Sequence, residues 1–426
     1  MRRVAVTGVG VVSPIGTGVE AFFGGLREAT SGIDRIRAFD ASAFPTQLAA
    51  EVRDLDLDAI ALPEEERALL GRDPKSLFGL AAAREALADA FGAARAAEHL
   101  PAHRVACMVA SGLEIFHLPE ILAHMHDDHF DAGAMLAQHN DDAHGFALQL
   151  PADTAARCIA REAGAAGLFS VNVSACAAGT QALGEAWLAI RDDRADAVIC
   201  GGYDSMVNPL GVGGFCMLEA MSQANELGAA ASRPFDVRRD GFVLGEGAGF
   251  FVFEELEAAR ARGAHIHAEV LGYASTLDAY RVTDPPPDHA QAVRAMQRAI
   301  AEAGLTPGDV DYINAHGTAT PKNDPAEALA IRTVFGDHAL RVPVSSTKSQ
   351  IGHLIGAAGA VELCAGLFAL ERGLLPATIN LDQPDPECQL NHVARSPRPA
   401  EVKTFLSNSF GFGGQNACIV AGALRD

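Results

Sequence analysis

One cysteine, two histidines and one lysine in this 426-residue chain stand where covalent acyl chemistry could be done. Cys176 lies in "VSACAAGTQA" (residues 173–182), closing an apolar run and opening an alanine-rich stretch of helical character. At a helix N-terminus the unpaired N–H groups and the macrodipole stabilise a thiolate, so this position predicts a lowered thiol pKa. Ser174, Ala175, Ala177, Ala178 and Gly179 leave a clear path for a substrate carbonyl to reach the sulfur. They also let a backbone N–H face the developing oxyanion. A packed cysteine in an alanine-rich turn is the commoner account of any cysteine taken singly.

His316 ends an apolar run in "INAHGTATPKND" (313–324), before a glycine and two threonines. Lys348 and His353 stand five residues apart in "SSTKSQIGHLIGAAGAVE" (345–362), which closes on Glu362. A lysine and a histidine are costly to bury unpaired, so each needs the other, Glu362 or a ligand. "SNSFGFGGQNA" (407–417) alternates phenylalanine with glycine, a mobile turn with free N–H groups and an apolar gate. A hydrogen-bonded structural histidine and a plain strand-end turn are the ordinary alternatives. Together, at strand ends before small-residue turns, the groups suit an acyl-cysteine intermediate with imidazole donors at a thioester.

Elements must hold these groups. "RRVAVTGVGVVS", "RVACMVASG", "LFSVNVSA" and "ADAVICGGYDS" read as strands, with "DPKSLFGLAAAREALADAFGAA" and "AAGTQALGEAWLAIRDD" as intervening helices. Apolar runs without alternation are those of strands covered on both faces, so the class is α/β. The design repeats: strand, small-residue turn and helix recur in "LFSVNVSACAAGTQALGEAWLAI" and "RVPVSSTKSQIGHLIGAAGAVELCAGLFAL". "GEGAGFFVFEEL" and "SFGFGGQNACIVAG" form a second matching pair. Two related halves are expected, residues 1–255 with the cysteine and 256–426 with the His/Lys/His set and the FGFGG loop.

Bulk properties narrow the function. The net charge is −21, from 33 Lys+Arg and 54 Asp+Glu, which repels nucleic acid and anionic membranes. An acidic protein partner would need a local basic patch. "HLIGAAGAVELCAGLFALERGLL" carries Glu362 mid-run and reads as a buried helix, and no secretory leader opens the chain. The eight scattered cysteines, without a CxxC pair, point to free thiols in a reducing cytoplasm.

Over nearly its full length the chain resembles the elongating β-ketoacyl-acyl carrier protein synthases of the thiolase-like superfamily. The resemblance rests on "TGVGVVSPIG", "SACAAG", "NPLGVGGF", "SRPFDVRRDGFVLGEGAG" and the histidine, lysine and FGFGG blocks, in that order. It implies a five-layered αβαβα fold of two pseudo-repeated halves, and a dimer completing both active sites. It also implies decarboxylative Claisen condensation, with Cys176 taking the acyl chain from carrier-protein phosphopantetheine. The N–H groups of Cys176 and Phe412 would form the oxyanion hole. His316 and His353 would bind the malonyl carbonyl, and Lys348 with Glu362 would position them. Thr318, Thr320, Phe410 and Gly411 would line the substrate channel, with Phe412 as gate. The resemblance implies no metal and no cofactor beyond the carrier-borne arm. The partners expected are an acyl carrier protein and either a second copy or a chain-length partner subunit.

Two stretches depart from the family pattern. Residues 112–150 lack the expected small-residue run, and six of the 15 histidines fall between His117 and His144. His124, His126 and His129 have spacing that could bind a metal, but they read better as a solvated, adaptable surface. Glu219 stands where housekeeping relatives often carry a basic carrier-docking residue, leaving Arg67, Arg72 and Lys75 as weaker docking candidates. Both departures tilt the expectation towards a type II polyketide or polyene-like pathway, with fatty-acid elongation the alternative. A cysteine-less partner subunit is disfavoured by the complete set of four residues. A degradative thiolase would need Cys418 as a second reactive cysteine, with a different histidine pattern.

Overall fold

The computed structural model describes residues 1–113, 117–127, 129–138 and 150–425. The first half contributes β1 (Val4–Ser13), α1 (Pro74–Phe91), β2 (Val105–Ser111), α2 (Thr154–Ala163), β3 (Phe169–Asn172), α3 (Ala178–Arg191), β4 (Ala197–Ser205) and β5 (Leu244–Glu255). The second contributes β6 (Ala268–Leu277), α4 (Ala290–Glu302), β7 (Tyr312–Asn314), α5 (Asn323–Phe335), β8 (Pro343–Ser345), α6 (Ala358–Arg372), β9 (Thr404–Phe410) and β10 (Gln415–Gly422). All ten residues of β1 and all nine of β4 are buried, which is why their sequences do not alternate.

The halves repeat one topology. The first five strands pair in the order β3-β2-β4-β5-β1, and the second five in the order β8-β7-β9-β10-β6. In each order the second strand, β2 or β7, is parallel to both neighbours. The fourth strand, β5 or β10, is antiparallel to both of its own. The sets join edge to edge through β1 and β6, where Val4, Ala5 and Val6 face Val270, Glu269 and Ala268.

Helices complete five layers. α1 packs on β1, β4 and β5, with α2 beside it, while α4 packs on β6 and β10, with α5 beside it. α3 and α6 touch strands of both sets and therefore lie between them. A helix in that position has no solvent face, and residues 358–369 of α6 are all buried. That run is thus the buried helix its Glu362 implied, and no helix among the described residues is long and apolar enough to cross a membrane.

Candidate active site

The two central helices begin in matching turns. Ala175 (φ 49°) leads a 3-10 turn, Ala175–Ala177, into α3, and Ile355 (φ 44°) leads Ile355–Ala357 into α6. "CAAG" at 176–179 therefore corresponds to "GAAG" at 356–359, and Gly356 occupies the counterpart of Cys176. The helices meet at glycines. A Cβ on Gly359 would lie 2.1 Å from Thr180 Oγ1, and one on Gly179 would lie 3.0 Å from the Ala360 nitrogen. Close approach brings Cys176, on the first-half turn, beside groups carried by the second half.

His353 follows the short helix Lys348–Ile351, and its Nε2 lies 3.1 Å from Cys176 Sγ. Its Nδ1 accepts the Ile355 backbone N–H at 3.2 Å, so the ring proton resides on Nε2 and points at the sulfur. His316 follows β7, and its ring centroid is 5.3 Å from that of His353. Lys348 Nζ lies 3.4 Å from His316 Nδ1 and also donates to Glu362. The ammonium can only donate, so His316 too presents Nε2–H to the site. Burial, with the Lys348 charge adding to it, pushes both imidazoles well below their ordinary pKa. They are neutral donors rather than bases.

Glu327, buried on α5, accepts the backbone N–H of His316 at 2.8 Å and of Gly317 at 2.7 Å. Asn408 on β9 donates to the same carboxylate at 3.2 Å. Sequence reasoning missed Glu327. Its signal was a lone carboxylate in an apolar helical run, eleven residues after His316.

Cys176 is 4% exposed. Burial pushes its thiol up to about 11, against the opposing pull of the Phe412 N–H, the Lys348 charge and its own N–H. The lowered thiol pKa expected from the helix N-terminus is therefore corrected, because desolvation in this apolar turn outweighs the nearby donors. The pair of N–H groups expected at the oxyanion does converge on the sulfur. Gly411 lies directly over the turn: a Cβ there would come within 3.4 Å of the Cys176 nitrogen.

A cavity of about 280 Å³ opens from this group. Cys176, His316, His353, Thr318, Thr320, Phe410, Gly411 and Phe412 all line it, so the structure brings these expected residues together. Lys348 and Glu362 stand behind them, buried and paired. Thr283, which the sequence reading did not single out, also lines it. Thr318 and Thr320 share a 3.0 Å hydrogen bond. Their loop is gripped at its backbone by Asp324, which accepts the Ala319 N–H, and by Arg239, which donates to the Thr320 carbonyl.

Cys176, His316 and His353 form the one cluster of potential metal ligands among the described residues, with their ligand atoms within 4.8 Å of one another. Their surroundings do not suit an ion. A ligating imidazole offers an Nε2 lone pair and donates Nδ1–H to an acceptor. Here both Nδ1 atoms face donors, Ile355 N–H and Lys348.

Other candidates resolve differently. Lys75 is not a surface docking residue: its ammonium is buried, pairs with Asp73 at 2.9 Å and donates to the Leu113 carbonyl. Arg67 turns inward to the carbonyls of Leu57 and Ile60. Glu219 lies exposed at the cavity mouth. His124 is buried and fixed by the Glu120 carbonyl and Gln138, each at 3.0 Å. His126 and His129 are paired across a two-residue ladder on the surface. His139 and His144 lie outside the described residues. Cys418 is buried within β10, away from the cavity lining, with its thiol held well above its ordinary pKa by burial.

Comparison with known proteins gives the family. The family model for the beta-ketoacyl synthase N-terminal domain matches residues 1–259, and that for the C-terminal domain matches 267–382. A relative from Synechocystis sp. named 3-oxoacyl-(acyl-carrier-protein) synthase 2 is 39% identical, across 98% of this chain and 97% of its own. One of the same name from Coxiella burnetii is 40% identical, across 100% and 99%. Among solved structures, a type II polyketide acyl-carrier protein in complex with its ketosynthase, bound to the hexaketide, matches with TM-score 0.86 and 33% identity. That match covers 99% of this chain and 100% of the other. The ishigamide ketosynthase/chain length factor matches at 0.84 and 33%, covering both chains completely.

Proposed function

The chain belongs to the β-ketoacyl synthase family and is a ketosynthase of the acyltransferase class, and from that premise we propose its reaction in detail. Cys176 Sγ attacks an acyl thioester borne on a carrier protein's phosphopantetheine arm. The thiol proton leaves with the departing arm, and the acyl group remains on Cys176. The N–H groups of Cys176 and Phe412 receive the oxyanion of this step.

A malonyl thioester then occupies the cavity with its carbonyl at the two Nε2–H donors. Cleavage of the bond to the carboxylate releases carbon dioxide and leaves its electron pair as an enolate, which His316 and His353 stabilise. The enolate carbon attacks the acyl carbonyl, collapse of the adduct expels the Cys176 thiolate, and a proton from solvent restores the thiol. Neutral imidazoles suit this task, because they strengthen their hydrogen bonds as negative charge develops without protonating the carbanion. Lys348 and Glu362 position His316, Thr318 and Thr320 hold the arm, Phe410 and Gly411 shape the channel, and Phe412 gates it. The reaction balances with no metal or redox cofactor.

The observation that carries this reading is the pair of imidazoles locked as Nε2–H donors, one of them 3.1 Å from Cys176 Sγ. Intact-mass analysis with acyl- and malonyl-carrier proteins tests it. An acyl adduct on Cys176 and a β-ketoacyl product are expected. Absence of both with every carrier and copurified partner would sink it.

For the pathway, we propose a specialised type II polyketide or polyene-like line in the cytoplasm, supported by Glu219 at the mouth and by the departure at residues 112–150. Fatty-acid elongation is the second reading, favoured by the 39–40% identity to the synthase 2 relatives. Product analysis with a saturated and a poly-β-keto acyl carrier separates them. A second copy or a chain-length partner is proposed along β3, the outer strand of its set, beside which Phe169 and Val173 are 44% and 46% exposed. Co-expression with each candidate subunit decides which.

A further inference from the structure

The catalytic reading accounts for the inner end of the cavity but not for its mouth. Among the described residues that line it, the permanent cations are Arg281 and Lys322. Both are mostly exposed, at 65% and 67%, and they share one carboxylate. Asp284 Oδ1 accepts from Lys322 Nζ at 2.5 Å, and Oδ2 lies 3.4 Å from Arg281 Nη1. His289 and Ala292 line the same mouth, and the N-terminus of α4 beside them is occupied by Asp288, which accepts the Ala290 N–H at 3.2 Å. Arg281 and Lys322 place two cations at one mouth on a chain whose net charge is −21.

The other acids of the lining are Glu219, Asp278 and Glu327. Asp278 is held by Asn416 Nδ2 at 2.8 Å and Glu327 by the His316 and Gly317 N–H groups, so neither pairs with the two cations. Asp284 is thus the carboxylate that both cations hold. The site also touches the gate: the Gly413 N–H, next to Phe412, donates to the Val282 carbonyl at 2.6 Å, between Arg281 and Asp284.

We propose that Arg281 and Lys322 form a phosphate-recognition site, exchanging Asp284 for the phosphodiester of the carrier's arm as its thiol end reaches Cys176. This rests on the reading of the chain as a carrier-dependent ketosynthase. The site adds affinity and orientation to the arm and takes no part in bond making.

The test compares malonyl-phosphopantetheine with malonyl-pantetheine, which lacks the phosphate, in a condensation assay. Wild-type protein is expected to show a KM about ten-fold lower for the phosphorylated thioester, as two exposed charge-assisted contacts would give. The preference should shrink in 0.5 M salt. Arg281→Gln/Lys322→Gln should erase it, leaving kcat and the KM for malonyl-pantetheine unchanged. Asp284→Asn should enlarge it by freeing both cations, an effect that a purely structural ion pair would not produce. No preference in the wild-type protein, or a preference that survives the double variant, overturns the site alone. Failure of the wild-type protein to turn over either thioester or the malonyl-carrier protein overturns the ketosynthase reading and the site with it.

Discussion

His353 Nδ1 accepts the backbone N–H of Ile355, two residues along the chain, at 3.2 Å. This one contact sets the chemistry of the ring, because a nitrogen that accepts cannot carry the proton. Nε2–H is thereby aimed at Cys176 Sγ, and His353 is made an electrophilic donor rather than the general base of a cysteine hydrolase. Nitrogen-15 NMR of histidine-labelled protein should show the Nε2–H tautomer for both His316 and His353 from pH 6 to 9. A positively charged ring in that range, or an Nδ1–H tautomer, would contradict the donor role.

Separation of the half-reactions follows from that geometry. His316→Ala removes one enolate donor and is expected to slow condensation about 10²–10³-fold. Acylation of Cys176 by an acyl-carrier thioester should persist, as read by intact mass. Equal loss of both steps would place His316 in thiol activation instead.

Cys176→Ala should abolish the acyl adduct. Cys176→Gln fills the same turn with a carboxamide that imitates an acylated thioester, and malonyl decarboxylation should continue without condensation. Carbon dioxide release measured beside product formation distinguishes the two variants.

Two glycines allow the central helices to meet, and their substitution should not be equivalent. A Cβ on Gly359 would press 2.1 Å from Thr180 Oγ1 and 2.7 Å from the Thr180 nitrogen, whereas one on Gly179 has 3.0 Å. Gly359→Ala is expected to cost about 3 kcal/mol and displace the Cys176 turn, with Gly179→Ala costing less. Denaturant unfolding of the two variants gives the comparison.

Two buried groups predict opposite dependences on pH. Glu246 accepts from Ser205 Oγ and the Val52 N–H, and burial pushes it up to about 7. Its folded state binds the proton more tightly than the unfolded chain, so stability falls as pH rises from about 4.5 to 7. Glu246→Gln should therefore stabilise the protein by about 2 kcal/mol at pH 8 and by little at pH 5. His267 sits between Asp89 and Glu371, at 2.8 and 2.9 Å, with the His265 ring beside it, and the two carboxylates raise it to about 9. Its contribution is complete below about pH 6.5 and is lost as pH passes 9. His267→Gln should destabilise at pH 6 and converge with wild type near pH 10.

Much of this arrangement was legible from residue order. β1, β2 and β4 were marked by apolar runs without alternation, because a strand covered on both faces has no polar side to reveal its period. β3, at the outer edge, alternates and is partly exposed. Cys176, His316, Lys348 and His353 stood out because polar or reactive groups beside small residues are costly without a purpose. Glu327 escaped because a carboxylate that binds backbone N–H groups across a loop has no spacing signature. Lys75 misled for the converse reason: its charge suggested surface, while its partners, Asp73 and the Leu113 carbonyl, are met only in the folded chain.

The sequence by itself indicated the α/β class and a repeated design, and it set Cys176, His316, Lys348 and His353 apart as candidates, since local periodicity and residue chemistry carry that information. Tertiary structure alone decided their state. Packing the α3 and α6 turns together buries Cys176, and desolvation then raises the thiol that a helix N-terminus would otherwise lower. The fold also puts Lys348 behind His316, 32 residues away, while the turn at Ile355 sets its N–H behind His353 locally; burial then keeps both rings neutral. A pKa belongs to an environment, and the burial that shifts these groups is assembled from residues far apart in the chain.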